Sequence, residues 1–355
     1  MAVAATFLEQ DKQKAETVAA LLVDFLVSAR SGLHIAIYDF RLSDALAVPV
    51  VKALRDRAGA GVEVRIAYDA GKRTVAFPDA GADPAPPGTA DFVKHLGNGV
   101  QSRAITGGGP IPKLMHHKYL VRDGKTPNGA VWTGSTNFTD DSWTIQENNI
   151  LRIDSPALCT YFETDFEELW QRGDIATTGA HDTGQVQAGG AAIDVAFAPG
   201  EGRAIDHEVA HRIAAARRRL KIGSMLLTSG AILGALGDAL HQGRVAEYGG
   251  IYDRTQMESV FEQWHGTPAA WKIEAVKQVV VGLTGKRSTP YSPAGRHDFM
   301  HNKIVVADDV VITGSFNLSH SATENAENVL MIHDASLADR YSAYLDGLAA
   351  RYRSS

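Results

Sequence analysis

Three observations predict an α/β fold present in two copies. Helix-period and strand-period segments alternate at the start of the chain, the same order returns after residue 204, and one set of chemistry-bearing residues recurs at matched spacing. The length, 355 residues, suits two domains of ~150 residues each.

The elements follow in order. Between 11 and 30, Val18, Leu21, Leu22, Phe25, Leu26 and Ala29 lie three and four apart, which predicts an amphipathic helix with one buried face. The strand HIAIYDF is expected at 34–40, a helix around 46–57, and the strand VEVRIAYD at 62–69. AFPDAGADPAPPGTADF at 76–92 reads as a loop, either a surface excursion or a substrate-facing lid. The stretch 174–192 is poor in large apolar residues and rich in Gly, Ala and Thr, the composition of a linker. Past residue 204 come a helix to about 218, the strand LKIGSMLLTS, a helix around 231–242 and a strand ending GGIYD. The reading is a first domain at 1–178, a linker at 179–192 and a second domain at 193–355.

Composition excludes several classes. Lys plus Arg is 35 and Asp plus Glu is 41, a net charge of −6, so there is no globally basic surface and any grip on a polyanion must be local. Cys159 is the one cysteine, which rules out an intramolecular disulfide, a CxxC redox pair and a multi-cysteine zinc site. The N-terminus lacks a basic n-region and its apolar stretch is broken by Glu9, Asp11 and Lys12; no run reaches ~18 apolar residues. The expectation is a cytoplasmic chain with no membrane span.

The repeat is carried by chemistry. HHKYLVRD supplies His116, Lys118 and Asp123 in the spacing HxKxxxxD, followed by Gly134, Ser135 and Asn137 in GSTN and then Glu147. HNKIVVAD supplies His301, Lys303 and Asp308, followed by Gly314, Ser315 and Asn317 in GSFN and then Glu327. Asn to Glu is ten residues in each copy, and Asp154 with Asp334 and Tyr161 with Tyr341 continue the match at an offset of 180. The histidines are offset by 185, and the five-residue difference falls in the turn GKTPNGAVWT, where a length change leaves the flanking strands in register.

These residue types suit a phosphoryl site. A phosphodiester spreads one negative charge over two non-bridging oxygens, and two Lys and two Asn supply cations and donors in pairs. One His can attack phosphorus while the other protonates the leaving oxygen and later deprotonates water. Glu147 and Glu327 are each suited to accept from the far ring nitrogen of a His, fixing its tautomer. Lysines then take the electrostatic role that metal ions fill in many phosphoryl enzymes.

The paired HxKxxxxD…GSxN motifs resemble the signature of the phospholipase D superfamily, over nearly the whole chain. The resemblance implies two α/β/α sandwich domains with mixed sheets, related by a pseudo-twofold axis, whose motifs meet in one active site per monomer. It implies a covalent phosphohistidine, no metal and no cofactor, with His116 as nucleophile and His301 as general acid and base. Asp123 and Asp308 then support the motif, and Ser135 and Ser315 orient the loop or contact the phosphate network. GSTNFT and GSFNLS look more like the nuclease and cardiolipin-hydrolase branch than like large secreted phospholipases.

Substrate reading leans to nucleic acid, with a phospholipid headgroup as the alternative. Lys286, Arg287, Arg296, His297, His301 and Lys303 face only Asp298 in the sequence, which predicts a locally basic cleft. A rival activity is written in HEVAH at 207–211, the HExxH pattern of zinc hydrolases. Its helix is expected to bury Ile205, Val209 and Ile213, which turns His207 and His211 to solvent. RRRLK at 217–221 reads as a solvated helix end, His117 as a satisfied core histidine, Trp132, Trp143 and Trp170 as core, and Tyr38, Asp39 and Phe40 as either cleft or packing residues.

Overall fold

A computed structural model describes residues 3–71, 88–97, 99–107, 113–292 and 295–353. Two mixed sheets organise it. The first runs in the order Val3–Leu8, Asn148–Asp154, Ala130–Gly134, Lys118–Arg122, Gly32–Ile37, Glu63–Asp69, Val100–Ile105. The second runs Gly184–Ala188, Ala191–Ala198, Glu327–His333, Val310–Gly314, Lys303–Ala307, Arg219–Ser224, Glu247–Asp253, Thr284–Lys286. In each, the last three strands are parallel and the rest antiparallel.

Strand Gly32–Ile37 shows why the sequence reads as near-continuous apolar there: Leu33, Ile35 and Ile37 face the outer helices Ala15–Val27 and Asp44–Gly59, while Ala36 faces the inner core. On the second sheet, Gly202–Ala215, Gly230–His241, Arg254–Trp264 and Trp271–Val280 supply residues to the corresponding outer layer. The inner layer is one core shared by both sheets and by helices Pro156–Arg172 and Ala335–Tyr352. Each inner helix also reaches the other sheet. Phe162 meets Phe197 edge-on at 5.0 Å, and Tyr341 meets Phe7 edge-on at 4.8 Å.

Several expectations are corrected. Within the expected linker 179–192, Gly184–Ala188 pairs antiparallel with Ala191–Ala198, because the alternation Val186, Ala188, Ile193, Val195 buries one face against the shared core. Val3–Leu8, ahead of the first expected helix, is a strand on the first sheet, paired with Asn148–Asp154. Arg217, Arg218 and Arg219 do not extend a helix end. The helix closes at Ala215 and the strand opens at Arg219, with Arg218 and Arg219 in ion pairs to Asp309 and Asp339. Trp132 and Trp143 are core, whereas Trp170 is half-buried, stacked on Phe166 under Arg65. Most of the predicted loop at 76–92 lies outside the described residues; its end begins helix Thr89–His95. Among the described residues no helix is long and apolar enough to cross a membrane.

Candidate active site

His116 and His301 each precede a central strand of their own sheet, and each is pinned by the other half. Met115 bridges to Ala326 and Met300 to Glu147. The His116 N–H donates to the Ala326 carbonyl at 2.9 Å and the His301 N–H to the Glu147 carbonyl at 3.0 Å. Lys118 Nζ donates to the His116 carbonyl at 2.7 Å and Lys303 Nζ to that of His301 at 2.6 Å. Behind them, Asn149 Nδ2 donates to Thr313 Oγ1 and Asn328 Nδ2 to Thr133 Oγ1, both at 2.9 Å. These reciprocal bonds bring the two motifs into one site.

The reciprocity stops at the imidazoles. His116 Nδ1 lies 2.9 Å from the Glu327 carboxylate, the pairing expected for each of the two histidines. His301 Nδ1 instead lies 3.0 Å from Asn148 Oδ1. Glu147 is turned away: Lys286 Nζ donates to it at 2.5 Å, and the Tyr352 hydroxyl also bonds it. The expectation that Glu147 orients a histidine is therefore corrected.

The cause is a one-residue slip hidden in equal spacing. Gly134 pairs with Ile150 and Gly314 with Val329, so the glycines are offset by 180 but the facing strands by 179. Asn148 is thus the structural counterpart of Glu327, and Glu147 that of Ala326. The extra residue sits between Thr139 and Asn148, where the first copy winds the α-helical turn Asp140–Thr144 and the second a 3-10 turn, His320–Thr323. By the same slip the counterpart of Asp334 is Ser155; these two N-cap the inner helices by accepting from Leu337 and Leu158.

The GS dipeptides are explained by close approach. Gly134 and Gly314 have φ of +139° and +150°, and a Cβ would stand 2.3 Å and 2.2 Å from the carbonyl oxygens of Asn149 and Asn328. Ser135 Oγ donates to Asn148 Oδ1 at 2.8 Å and accepts from the Asn149 N–H; Ser315 bonds Glu327 and accepts from the Asn328 N–H. Both serines therefore hold the groups that hold the histidines. Two residues on, Asn137 and Asn317 have side-chain oxygens buried with no hydrogen-bond partner among the described residues.

Burial dominates the electrostatics. It drives both imidazoles well below the usual histidine range, and Lys118 and Lys303 push them further down. Burial brings Lys118 down to about 7 and lowers Lys303 well below its ordinary value, with Lys118 adding to the effect. Glu327 is pushed up to about 7 by burial, against the pull of Lys118. Such a site favours an anionic ligand, whose charge makes protonated lysines less costly.

Asp123 and Asp308 stand behind the site. Asp123 accepts from the N–H groups of Arg30, Ser31 and Gly32 and from Ser31 Oγ; Asp308 accepts from the N–H groups of Arg217, Arg218 and Arg219. Tyr38 meets the His116 ring edge-on at 4.9 Å, while Asp39 bonds Thr89 and Arg41, and Phe40 packs on Phe138. Exposed Tyr291 stacks on His297, four residues before His301. His117 is fully buried, its Nε2 3.3 Å from Asp165 Oδ2.

The locally basic cleft is weaker than expected. Lys286 is spent on Glu147, and Arg296 pairs with Asp141 at 3.1 Å, carboxylates that come from the first half and were invisible to a local reading. In HEVAH, Ile205, Val209 and Ile213 are buried, His207 and His211 are exposed, and Glu208 pairs with Arg212. Among the described residues the one group with metal-ligand spacing is His34, Glu163 and Glu167, where Arg65 already occupies His34 Nε2 at 2.8 Å.

A family model described as "Cardiolipin synthase, PLD-like domain" matches residues 22–170 and 209–349, one match per half. "Phospholipase D" of Rickettsia bellii is 33% identical over 135 residues, 38% of this chain and 58% of that protein. "Mitochondrial cardiolipin hydrolase" of Xenopus laevis is 38% identical over 63 residues, 18% of this chain and 28% of that one. The matches thus span less than two thirds of those relatives' own length. Among solved structures, a phosphatidylserine synthase from Haemophilus influenzae superposes with a TM-score of 0.65 over 98% of this chain and 86% of its own, at 11% identity, a likeness of fold alone.

Proposed function

The chain belongs to the PLD-like family, and from that premise we propose that it is a metal-independent phosphodiesterase acting through a covalent phosphohistidine. One observation carries the reading. Two buried histidines from opposite halves share a site with two lysines, each imidazole held by a side chain that fixes its Nδ1 as donor and leaves Nε2 for chemistry.

His116 Nε2 attacks phosphorus, forming a P–N bond as the P–O bond to the leaving group breaks. His301, which takes up a proton as the phosphodiester anion binds, passes its Nε2 proton to the departing oxygen. The positive charge left on the phosphorylated His116 ring faces the Glu327 carboxylate. Neutral His301 then takes a proton from water, the oxygen bonds phosphorus, the P–N bond breaks, and His116 returns neutral. Lys118, Lys303, Asn137 and Asn317 hold the non-bridging oxygens throughout.

For the substrate we propose nucleic acid. The Tyr291–His297 stack, whose histidine lies four residues before His301, has centroids 5.1 Å apart and planes within 13° and offers an aromatic face suited to a base. A phospholipid is the second reading, favoured by the names of the relatives. Hydrolysis of bis(p-nitrophenyl) phosphate in excess EDTA is expected, with no turnover by His116→Ala. A panel of single-stranded DNA, duplex DNA, RNA and phosphatidylcholine or cardiolipin vesicles then decides the substrate. Cleavage of lipid alone overturns the nucleic-acid reading; activity lost in EDTA and restored by zinc overturns the mechanism.

A further inference from the structure

We propose that Asn148 is a positioning residue that makes the two histidines chemically unequal, giving His301 the role of proton carrier by denying it a carboxylate. The inference deepens the phosphohistidine reading and rests on it. Asn148 is fully buried. Its Oδ1 accepts from Ser135 Oγ at 2.8 Å and faces His301 Nδ1, while its Nδ2 donates to the Ser142 carbonyl at 3.2 Å and lies 3.4 Å from Gln146 Oε1. This network sets the amide orientation, and with it the His301 tautomer: Nδ1 carries the hydrogen and Nε2 faces the reaction.

The difference between an amide and a carboxylate at this place decides two things. A carboxylate stabilises imidazolium, which suits a ring that must bear charge as a phosphoryl adduct; a neutral amide orients the ring while leaving its proton easier to give up. The groups that face His301 are Lys303, Lys118 and His116, with Glu327 acting on both lysines. Two lysines, one carboxylate and the protonated His301 leave the site two positive charges in excess, one of which a phosphodiester monoanion cancels. A second carboxylate at 148 cancels that charge before substrate arrives.

The one-residue insertion in Asp140–Thr144 is what creates the asymmetry, since it moves Glu147 out of the inner position and Asn148 into it. Glu147 then finds Lys286, 1% exposed, and both charges are absorbed outside the reacting centre.

The test compares the full chain with its Asn148→Asp and Asn148→Ala variants by histidine NMR titration and by the pH profile of kcat/KM on bis(p-nitrophenyl) phosphate. In Asn148→Asp the His301 titration is expected to move up by about 1–3 pH units while His116 moves far less. The alkaline limb of the profile should rise with it, and KM should increase. Asn148→Ala should lower kcat without that upward move. An Asn148→Asp protein that melts as the native one does and leaves the His301 titration in place overturns the inference. If Asn148→Asp does not fold, Glu327→Gln decides: it should lower denaturant-quenched phosphoenzyme and move the His116 titration more than that of His301, and an equal or larger move of His301 overturns the inference. A native enzyme that titrates as expected but forms no phosphoenzyme sinks the phosphohistidine reading instead.

Discussion

The first half winds Asp140–Thr144 as an α-helical turn; the second crosses the same gap in a 3-10 turn with one residue fewer. From that difference follows a His116 on a carboxylate, a His301 on an amide, and a stranded Glu147 on Lys286. Equal spacing in sequence is thus not equal position in space. A strand keeps its register with its neighbours, and a turn can absorb a residue and deliver the next side chain along to the same place.

The largest expected effect separates the two histidines. His116→Ala should abolish turnover, about 10³-fold or more, with no alkali-stable, acid-labile phosphoenzyme. His301→Asn retains a ring-sized polar group but cannot carry the proton, so it should form phosphoenzyme slowly and hydrolyse it more slowly still. Equal residual activity in the two variants, with phosphoenzyme in neither, breaks the division of labour.

Next in size is the Glu147–Lys286 pair. Its two charges are buried together, so Lys286→Met should cost about 3–5 kcal/mol by leaving Glu147 unpaired, and Lys286→Met with Glu147→Leu should recover much of it. Thermal or denaturant unfolding measures both. Neither change should shift the His301 titration, because the carboxylate that matters to a histidine is Glu327. A Glu147→Gln variant whose His301 titration falls would restore the equal-spacing reading.

Much of this was legible in the sequence, for a physical reason. Alternation and helical period report burial directly, so the first helix, the central strands and the repeat were recoverable, as was the solvent-facing placement of HEVAH. The HxKxxxxD segments were readable because His, Lys and Asp lie along one strand and its two flanks. What escaped depends on chain far away. Asn148 gains meaning only from a facing histidine 153 residues on, and Glu147 and Asp141 neutralise a basic stretch that reads as nearly unopposed. Strands Val3–Leu8 and Gly184–Ala188 are sheet edges with one buried face, too short and too rich in small residues to announce themselves.

The smallest expected effect tests whether the halves are equally anchored. Burial alone would raise the Asp123 and Asp308 carboxyls, but the backbone N–H donors outweigh it and hold both below the usual aspartate range. A folded value below the unfolded one means the stabilisation is present above pH ~4 and is lost as pH falls through the folded value. Asp123→Ala should cost about 1–3 kcal/mol by orphaning N–H groups at the start of strand Gly32–Ile37. Asp308→Ala should cost less, because Asp123 holds an additional donor in Ser31 Oγ and is the more buried of the two. Melting curves from pH 3 to 7 should flatten at the acid end in each variant, more for Asp123. A larger loss in Asp308→Ala would mean that Arg218 and Arg219, with their ion pairs to Asp309 and Asp339, make the second half the more tightly tied.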